Sequence, residues 1–140
     1  MHTPGQPPEK FVWPTFRYRD AKAAIRFLED AFGFVASLVV PGQSDEEVAH
    51  AELLWPEGGG VMVGSQSAGD DSRAVRPDGP GWCYVVTDGP DALHDRALKA
   101  GAEIVDGLKE EEYGSRGFSA KDPEGNLWFF GTYRGAPSPS

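Results

Sequence analysis

The chain has 140 residues, and its 22 acidic and 13 basic side chains give a formal net charge of −9. A single domain of this size can bury a core without disulfides, and its negative field disfavours nucleic acid and anionic membranes as partners. Because the single cysteine, Cys83, lies in an apolar stretch and no segment has the pattern of a signal peptide or a membrane span, we expect a cytoplasmic protein.

Polar segments rich in proline, glycine and serine divide the chain. They predict a flexible tail at 1–10, a linker at 65–80 and a second flexible tail at 135–140. The folded part is then one domain, 11–134, which consists of a first module at 11–64 and a second module at 81–134.

The first module begins with a β-prone segment, Phe11 to Tyr18, and Asp20 follows as a helix N-cap. Apolar residues then recur with helical spacing up to Phe32, and Gly33 provides a natural C-cap. Three short extended segments come next, at Phe34–Val40, Val48–Leu54 and Val61–Gly64. The predicted order is therefore β-α-β-β-β.

The second module repeats this order. A β-prone segment, Trp82–Val86, precedes a helix that we predict to begin at Asp88 as N-cap and to end at Gly101, with the same spacing as Asp20 to Gly33. Extended segments follow at Glu103–Leu108, Gly117–Lys121 and Asn126–Tyr133. The repeat predicts an α+β fold: two βαβββ modules in tandem form a curved, mostly antiparallel sheet around a cavity, with the helices outside.

Several segments together resemble one known family. They are Arg17–Leu28, Ala31–Phe34, Ala100–Ala102, Trp128–Thr132 and above all the turn Asp122-Pro123-Glu124-Gly125-Asn126. In this order they resemble the glyoxalase/bleomycin-resistance/dioxygenase superfamily, also called vicinal oxygen chelate (VOC), over nearly the whole folded region. The final strand is similar to that of the PhnB-like and bleomycin-resistance-like branch, many of whose members have no assigned activity.

The resemblance also indicates where metal ligands would stand. In metal-dependent members, four ligands come from the first and fourth strands of each module, and these positions correspond here to Trp13, Met62, Trp82 and Phe129. Aromatic rings offer no lone pair to a divalent cation, and a thioether prefers soft ions. The resemblance therefore implies a pocket with no metal and no cofactor. Such a pocket suits a flat or cationic organic molecule, although these side chains could instead fill a closed core.

Three polar residues complete the candidate site. His50 and Glu52 are two apart on a predicted strand and so share one face, close to Met62. They are the remaining candidates for metal binding or acid–base catalysis, and a simple hydrogen-bonding role is the alternative. Tyr113 lies in the connection that often borders the cavity mouth in this family, and the alternative for this segment is a solvated loop.

Two main functions follow from these residues. The first is a metal-free protein that binds a hydrophobic or cationic aromatic molecule, with antibiotic sequestration as its concrete form. The second is a VOC-type lyase, isomerase or dioxygenase that uses a divalent metal or His50 and Glu52, and a domain that acts only through protein contacts is a third. The resemblance also implies a homodimer, and we expect Trp55, Trp128 and Tyr133 to lie at the surface and support it.

Overall fold

The computed structural model describes residues 12–66 and 81–137. Its first module contains β1 Thr15–Tyr18, α1 Ala21–Phe27, a π-helical turn Leu28–Phe32, β2 Val35–Pro41, β3 Val48–Leu54 and β4 Gly60–Ser65. Its second module contains β5 Trp82–Val86, α2 Pro90–Lys99, β6 Glu103–Glu110, β7 Arg116–Lys121 and β8 Leu127–Gly131. The α+β class and the predicted β-α-β-β-β order of both modules are confirmed.

Parts of the predicted tails and linker lie outside the described residues. These parts are the N-terminal tail at 1–10, most of the linker at 65–80 and the last residues of the tail at 135–140. None of the described helices is both long enough and apolar enough to cross a membrane.

The strands form two separate four-stranded sheets, in the orders β1-β4-β3-β2 and β5-β8-β7-β6. In each sheet the first strand of the module pairs parallel with the last, while the other neighbours pair antiparallel. The identical orders confirm the internal repeat. The curved sheet expected from the sequence is thus divided into two halves, each carried by one module.

The helix starts differ between the modules. In α1, the Asp20 side chain accepts a hydrogen bond from the Ala23 backbone N–H at 3.0 Å, as the sequence predicts. In α2, the prediction of Asp88 as N-cap is wrong, because Gly89 takes that position and Pro90 stands in the first turn. Proline suits this position, since its missing N–H would have no partner within the helix.

The two modules share one hydrophobic core. Phe16 of β1 and Phe34 before β2 stand at opposite edges of the first sheet, yet both contact Trp128 of β8, with ring centroids 5.1 and 5.6 Å apart. The core faces of the two sheets therefore face each other. The helices also lie on this side, because the Phe32 ring of the π-helical turn contacts Trp128, with centroids 5.6 Å apart, and Leu93 of α2 belongs to the same core.

This core contains two tryptophans that were expected at the surface. Trp55 is 8% exposed and Trp128 is 0% exposed, so the expectation that they support a dimer interface is wrong. Trp128 is one residue from Phe129 on β8, and the alternation of a strand turns Trp128 into the core. Tyr133 remains 43% exposed.

The turn at Asp122 binds the second module to the first. Its buried carboxylate accepts hydrogen bonds from the Tyr18 hydroxyl at 2.6 Å and the Trp128 indole N–H at 3.1 Å, and also from the Asn126 side chain. The backbone N–H groups of Glu124 and Asn126 donate to its other oxygen. Burial, reinforced by this carboxylate, raises the pKa of Tyr18, so the phenol stays protonated and donates.

Two glutamates also connect the modules, because each accepts hydrogen bonds from the other module. The Glu124 carboxylate accepts from the backbone N–H of Arg19 at 2.8 Å and of Asp20 at 2.9 Å. In the other module, the Glu57 carboxylate accepts from the Thr87 hydroxyl and the Asp88 backbone N–H, both at 2.8 Å. The turn between the last two strands of each module therefore fixes the strand-to-helix corner of the other module.

Candidate functional site

Each sheet has a second face that does not contribute to the core. On β8, Trp128 and Phe130 are buried, so Phe129 between them points to the other side. On β4, Val61 and Val63 are buried, and Met62 points to the other side in the same way. We call these surfaces the first open face, which carries Met62, and the second open face, which carries Phe129. The sides of the two sheets that form the core are directed towards each other. The two open faces therefore lie on opposite sides of the chain.

The second open face carries an aromatic pair, the exposed Trp82 and the half-buried Phe129. The rings of Trp82 and Phe129 lie with centroids 5.7 Å apart at an angle of 49°. Trp82 is 72% exposed, although large aromatic side chains are usually buried when no ligand or partner covers them. Tyr84 stands opposite Phe129 in the pairing of β5 with β8 and extends this aromatic surface.

A cavity of about 330 Å³ lies on the same face, within the size range of small-molecule sites. Tyr84 and Tyr113 form part of its border. Tyr133 connects these two residues, because its carbonyl accepts a hydrogen bond from the Tyr84 hydroxyl at 2.7 Å and its ring meets the Tyr113 ring edge-on, with centroids 5.5 Å apart. Tyr113 thus lines the cavity. Tyr84 and Tyr133 were not identified as residues of this site from the sequence, because they come from β5 and from the segment after β8.

Two glycines in the cavity lining leave no room for a side chain. A Cβ atom added at Gly117 would overlap the Phe130 carbonyl oxygen. At Gly131, it would lie 2.8 Å from the Tyr84 hydroxyl and 2.9 Å from the Ser115 hydroxyl. Gly117 and Gly131 are directly paired between β7 and β8, so the sheet surface stays flat at this point.

The first open face brings the other candidate residues together. Met62 is paired with both Glu52 on β3 and Thr15 on β1, and the Trp13 ring lies close to Gly60, two residues before Met62. The His50 Nε2 and Glu52 Oε2 atoms are 2.9 Å apart. Within the described ranges 12–66 and 81–137, no three His, Cys, Asp or Glu side chains are grouped closely enough to hold a metal ion.

The structure therefore divides the four family ligand positions into two pairs. Trp82 lies with Phe129 on the second open face, and Trp13 lies near Met62 on the first open face. The shared core separates the two pairs within one chain. Their roles in ligand binding remain predictions.

A second cavity, of about 540 Å³, lies at the seam between the modules. Its apolar lining includes Phe34, Trp55, Val61, Val85 and the side chain of Cys83, and Glu57, Asp88 and Arg134 contribute charged groups. Burial raises the pKa of the Cys83 thiol, which makes this thiol a weaker nucleophile at neutral pH. The cavity depends on contacts between distant segments, so no local sequence pattern predicts it.

Comparison with a protein-family model gives a match over residues 10–130, to the glyoxalase/bleomycin resistance protein/dioxygenase superfamily. Uncharacterised proteins of two mycobacteria are 34% identical over 117 residues, which is 80% of this chain. The matched region covers 68% of the Mycobacterium tuberculosis H37Rv protein and 76% of the Mycobacterium bovis protein.

Solved structures are similar over most of the chain. TioX from Micromonospora sp. ML1 is 29% identical with a TM-score of 0.69, and the match covers 86% of this chain and 98% of TioX. The fosfomycin resistance protein FosX from Mesorhizobium loti is 15% identical with a TM-score of 0.62, and the match covers 90% of this chain and 93% of FosX. At that identity, the likeness to FosX shows the fold alone.

Proposed function

The chain belongs to the glyoxalase/bleomycin resistance protein/dioxygenase superfamily, and we propose that within it the protein binds a flat, hydrophobic or cationic aromatic molecule without a metal. The observation that carries the proposal is the exposed Trp82–Phe129 pair beside the cavity of about 330 Å³ on the second open face. Aromatic rings that stack on a ligand contribute about 0.5–1.5 kcal/mol per pair beyond the area they bury. Sequestration of an antibiotic is the concrete form that we propose, because an aromatic surface beside a cavity can hold a flat drug without any chemical step.

The side chains at the family's ligand positions do not fit a divalent metal. Trp13, Trp82 and Phe129 present carbon or an indole N–H, and Met62 presents a thioether. Zinc, nickel, iron and manganese sites are built from imidazole, carboxylate or thiolate groups. We therefore propose that the chain belongs to the branch that lacks the metal ligands.

The direct test is a titration of the protein with flat aromatic compounds, including bleomycin-type drugs, in the presence of a chelator. We expect a bound ligand to quench tryptophan fluorescence, because Trp82 lies on the binding surface. If a broad panel changed neither the fluorescence nor the melting temperature, the binding proposal would be wrong.

The contact between His50 and Glu52, 2.9 Å, supports the alternative of an acid–base enzyme or a metal-dependent lyase, isomerase or dioxygenase. Metal analysis of untagged protein by mass spectrometry separates the two functions. We expect less than stoichiometric Ni, Zn, Fe and Mn, and no change in metal content in His50→Ala, because the pair lacks a third ligand in the described residues. One equivalent of metal that disappears in His50→Ala would instead favour the enzyme.

We also propose that the protein is a homodimer. Within one chain the pairs Trp13–Met62 and Trp82–Phe129 lie on opposite sides of the core, so a pocket lined by both pairs requires a second copy. The first open face also leaves apolar side chains uncovered: Leu38 and Val40 of β2 are 44% and 39% exposed, and they pair with Glu52 and His50. Burial of such a surface stabilises an assembly.

Light scattering at micromolar concentration checks this assembly. We expect a mass near twice the 15.1 kDa of the chain. In Leu38→Glu, the mass should fall towards that of one chain, because a charge would be placed in the apolar contact. A wild-type mass near 15.1 kDa would show that no second copy completes the pocket.

A further inference from the structure

Four residues from neighbouring strands form a row across the second open face. Asp106 on β6 is paired with Ser119 on β7, Ser119 is paired with Phe129 on β8, and Phe129 is paired with Tyr84 on β5. All four residues line the cavity of about 330 Å³. In order across the sheet, the row therefore presents a carboxylate, a hydroxyl and two aromatic rings.

The pairing of the strands fixes the distance along this row. Neighbouring strands lie about 4.8 Å apart, so two strand spacings separate Asp106 from Phe129 by about 10 Å. Asp106 is also held in place, because the Ser119 hydroxyl donates to its Oδ2 atom at 3.0 Å and accepts from its backbone N–H at 3.2 Å. Ser119 is 1% exposed, so this support lies beneath the carboxylate rather than in solvent.

The charges in the cavity lining favour a positive ligand. Among the described residues, three charged side chains line the cavity, and two of them form an ion pair, Lys109 Nζ and Glu111 Oε2 at 3.5 Å. Asp106 contributes the remaining charge, which is negative. The −9 formal charge of the whole chain adds to this preference at longer range.

We propose that Asp106 determines ligand specificity by binding the cationic group of an organic amine whose aromatic ring stacks on Phe129 and Tyr84. The proposal rests on the binding function proposed above. It further specifies the charge of the ligand and the distance between its charged group and its aromatic ring. The ligand is an aryl amine in which about 10 Å separates the ring from the ammonium group. Its ammonium group donates to the Asp106 carboxylate, and its ring covers the aromatic end of the row.

The test uses naphthylalkylamines with short, intermediate and long polymethylene linkers, together with their N-acetyl forms, which keep the ring and the linker but lose the charge. Binding is measured by calorimetry on the full chain, as wild type, Asp106→Asn and Glu103→Gln. Glu103→Gln is the matched control, because it removes one negative charge from the same strand, outside the cavity lining. Thermal melts establish that all three proteins are folded.

We expect the amine of intermediate length to bind wild type about fivefold more tightly than its N-acetyl form. This gain in affinity is at the upper end of the range for an ion pair open to solvent. Glu103→Gln should keep this preference and Asp106→Asn should lose it. Equal binding of amine and amide to wild type, or an unchanged preference in Asp106→Asn, would overturn the assignment of Asp106 and leave the aromatic binding function in place. If no member of the series bound wild type, the assignment of Asp106 would be overturned, and the broader panel of aromatic compounds would decide the binding function separately.

Discussion

Replacement of Asp122 by alanine should lower the free energy of unfolding by about 3–5 kcal/mol and the melting temperature by about 10 °C or more. The Asp122 carboxylate accepts five hydrogen bonds, from the side chains of Tyr18, Asn126 and Trp128 and from two backbone N–H groups. Without it, buried donors in both modules lose their acceptor, at a cost of about 1–3 kcal/mol for each one left unsatisfied.

Chemical denaturation followed by fluorescence measures this effect. Tyr18→Phe is an informative comparison, because it removes one donor together with its hydroxyl and should cost only about 1 kcal/mol. Asp95→Ala, at an exposed position on α2, should change stability by less than about 0.5 kcal/mol. An Asp122→Ala protein as stable as Asp95→Ala would mean that the turn does not hold the modules together.

Removal of either ring of the aromatic pair should lower the affinity for aromatic ligands by about tenfold. In Phe129→Ala and Trp82→Ala, the ligand loses a stacking partner and the apolar area it covers, about 1–2 kcal/mol in total. Calorimetry is the suitable measurement, since Trp82 is itself a fluorescent reporter. The naphthylalkylamine series supplies the ligands.

Val105→Ala is the matched control for this effect. Val105 is an exposed apolar residue on β6 that does not line the cavity, so its truncation should leave affinity within about twofold of wild type. Both aromatic variants should melt near the wild-type temperature, because Trp82 is largely exposed and Phe129 is only half-buried. Unchanged affinity in both variants would exclude the pair as the binding surface.

Local sequence signals predicted most of the fold. Asp20 and Gly33 mark the ends of the first helical segment as expected, because a cap depends on residues within one turn of it. The turn at Asp122 was predicted in the same way, and Gly125 donates from its backbone to the Asp122 carbonyl at 3.0 Å. The hydrogen bond from Tyr18 to Asp122 could not be predicted, because 104 positions separate the two residues and no local pattern encodes their contact.

The candidate site was predictable only in part for a similar reason. The family resemblance indicated Trp82 and Phe129, which are in contact, and Tyr113, which lines the cavity. Asp106 and Tyr84 were missed, because their place in the row depends on the order β5-β8-β7-β6 and on the register of three strand pairs. An irregular pairing of β6 with β7 between Ile104 and Asp106 also hides this register from the sequence.

The two open faces lie on opposite sides of one chain, and this placement couples ligand binding to protein concentration. In a symmetric dimer, the first open face of each copy would cover the second open face of the other, giving two equivalent sites per dimer. A ligand that contacts both copies then shifts the association equilibrium by mass action. Dilution would release ligand and partner together, so affinity measured in very dilute protein would be weaker than in concentrated protein, even though no residue of the site had changed.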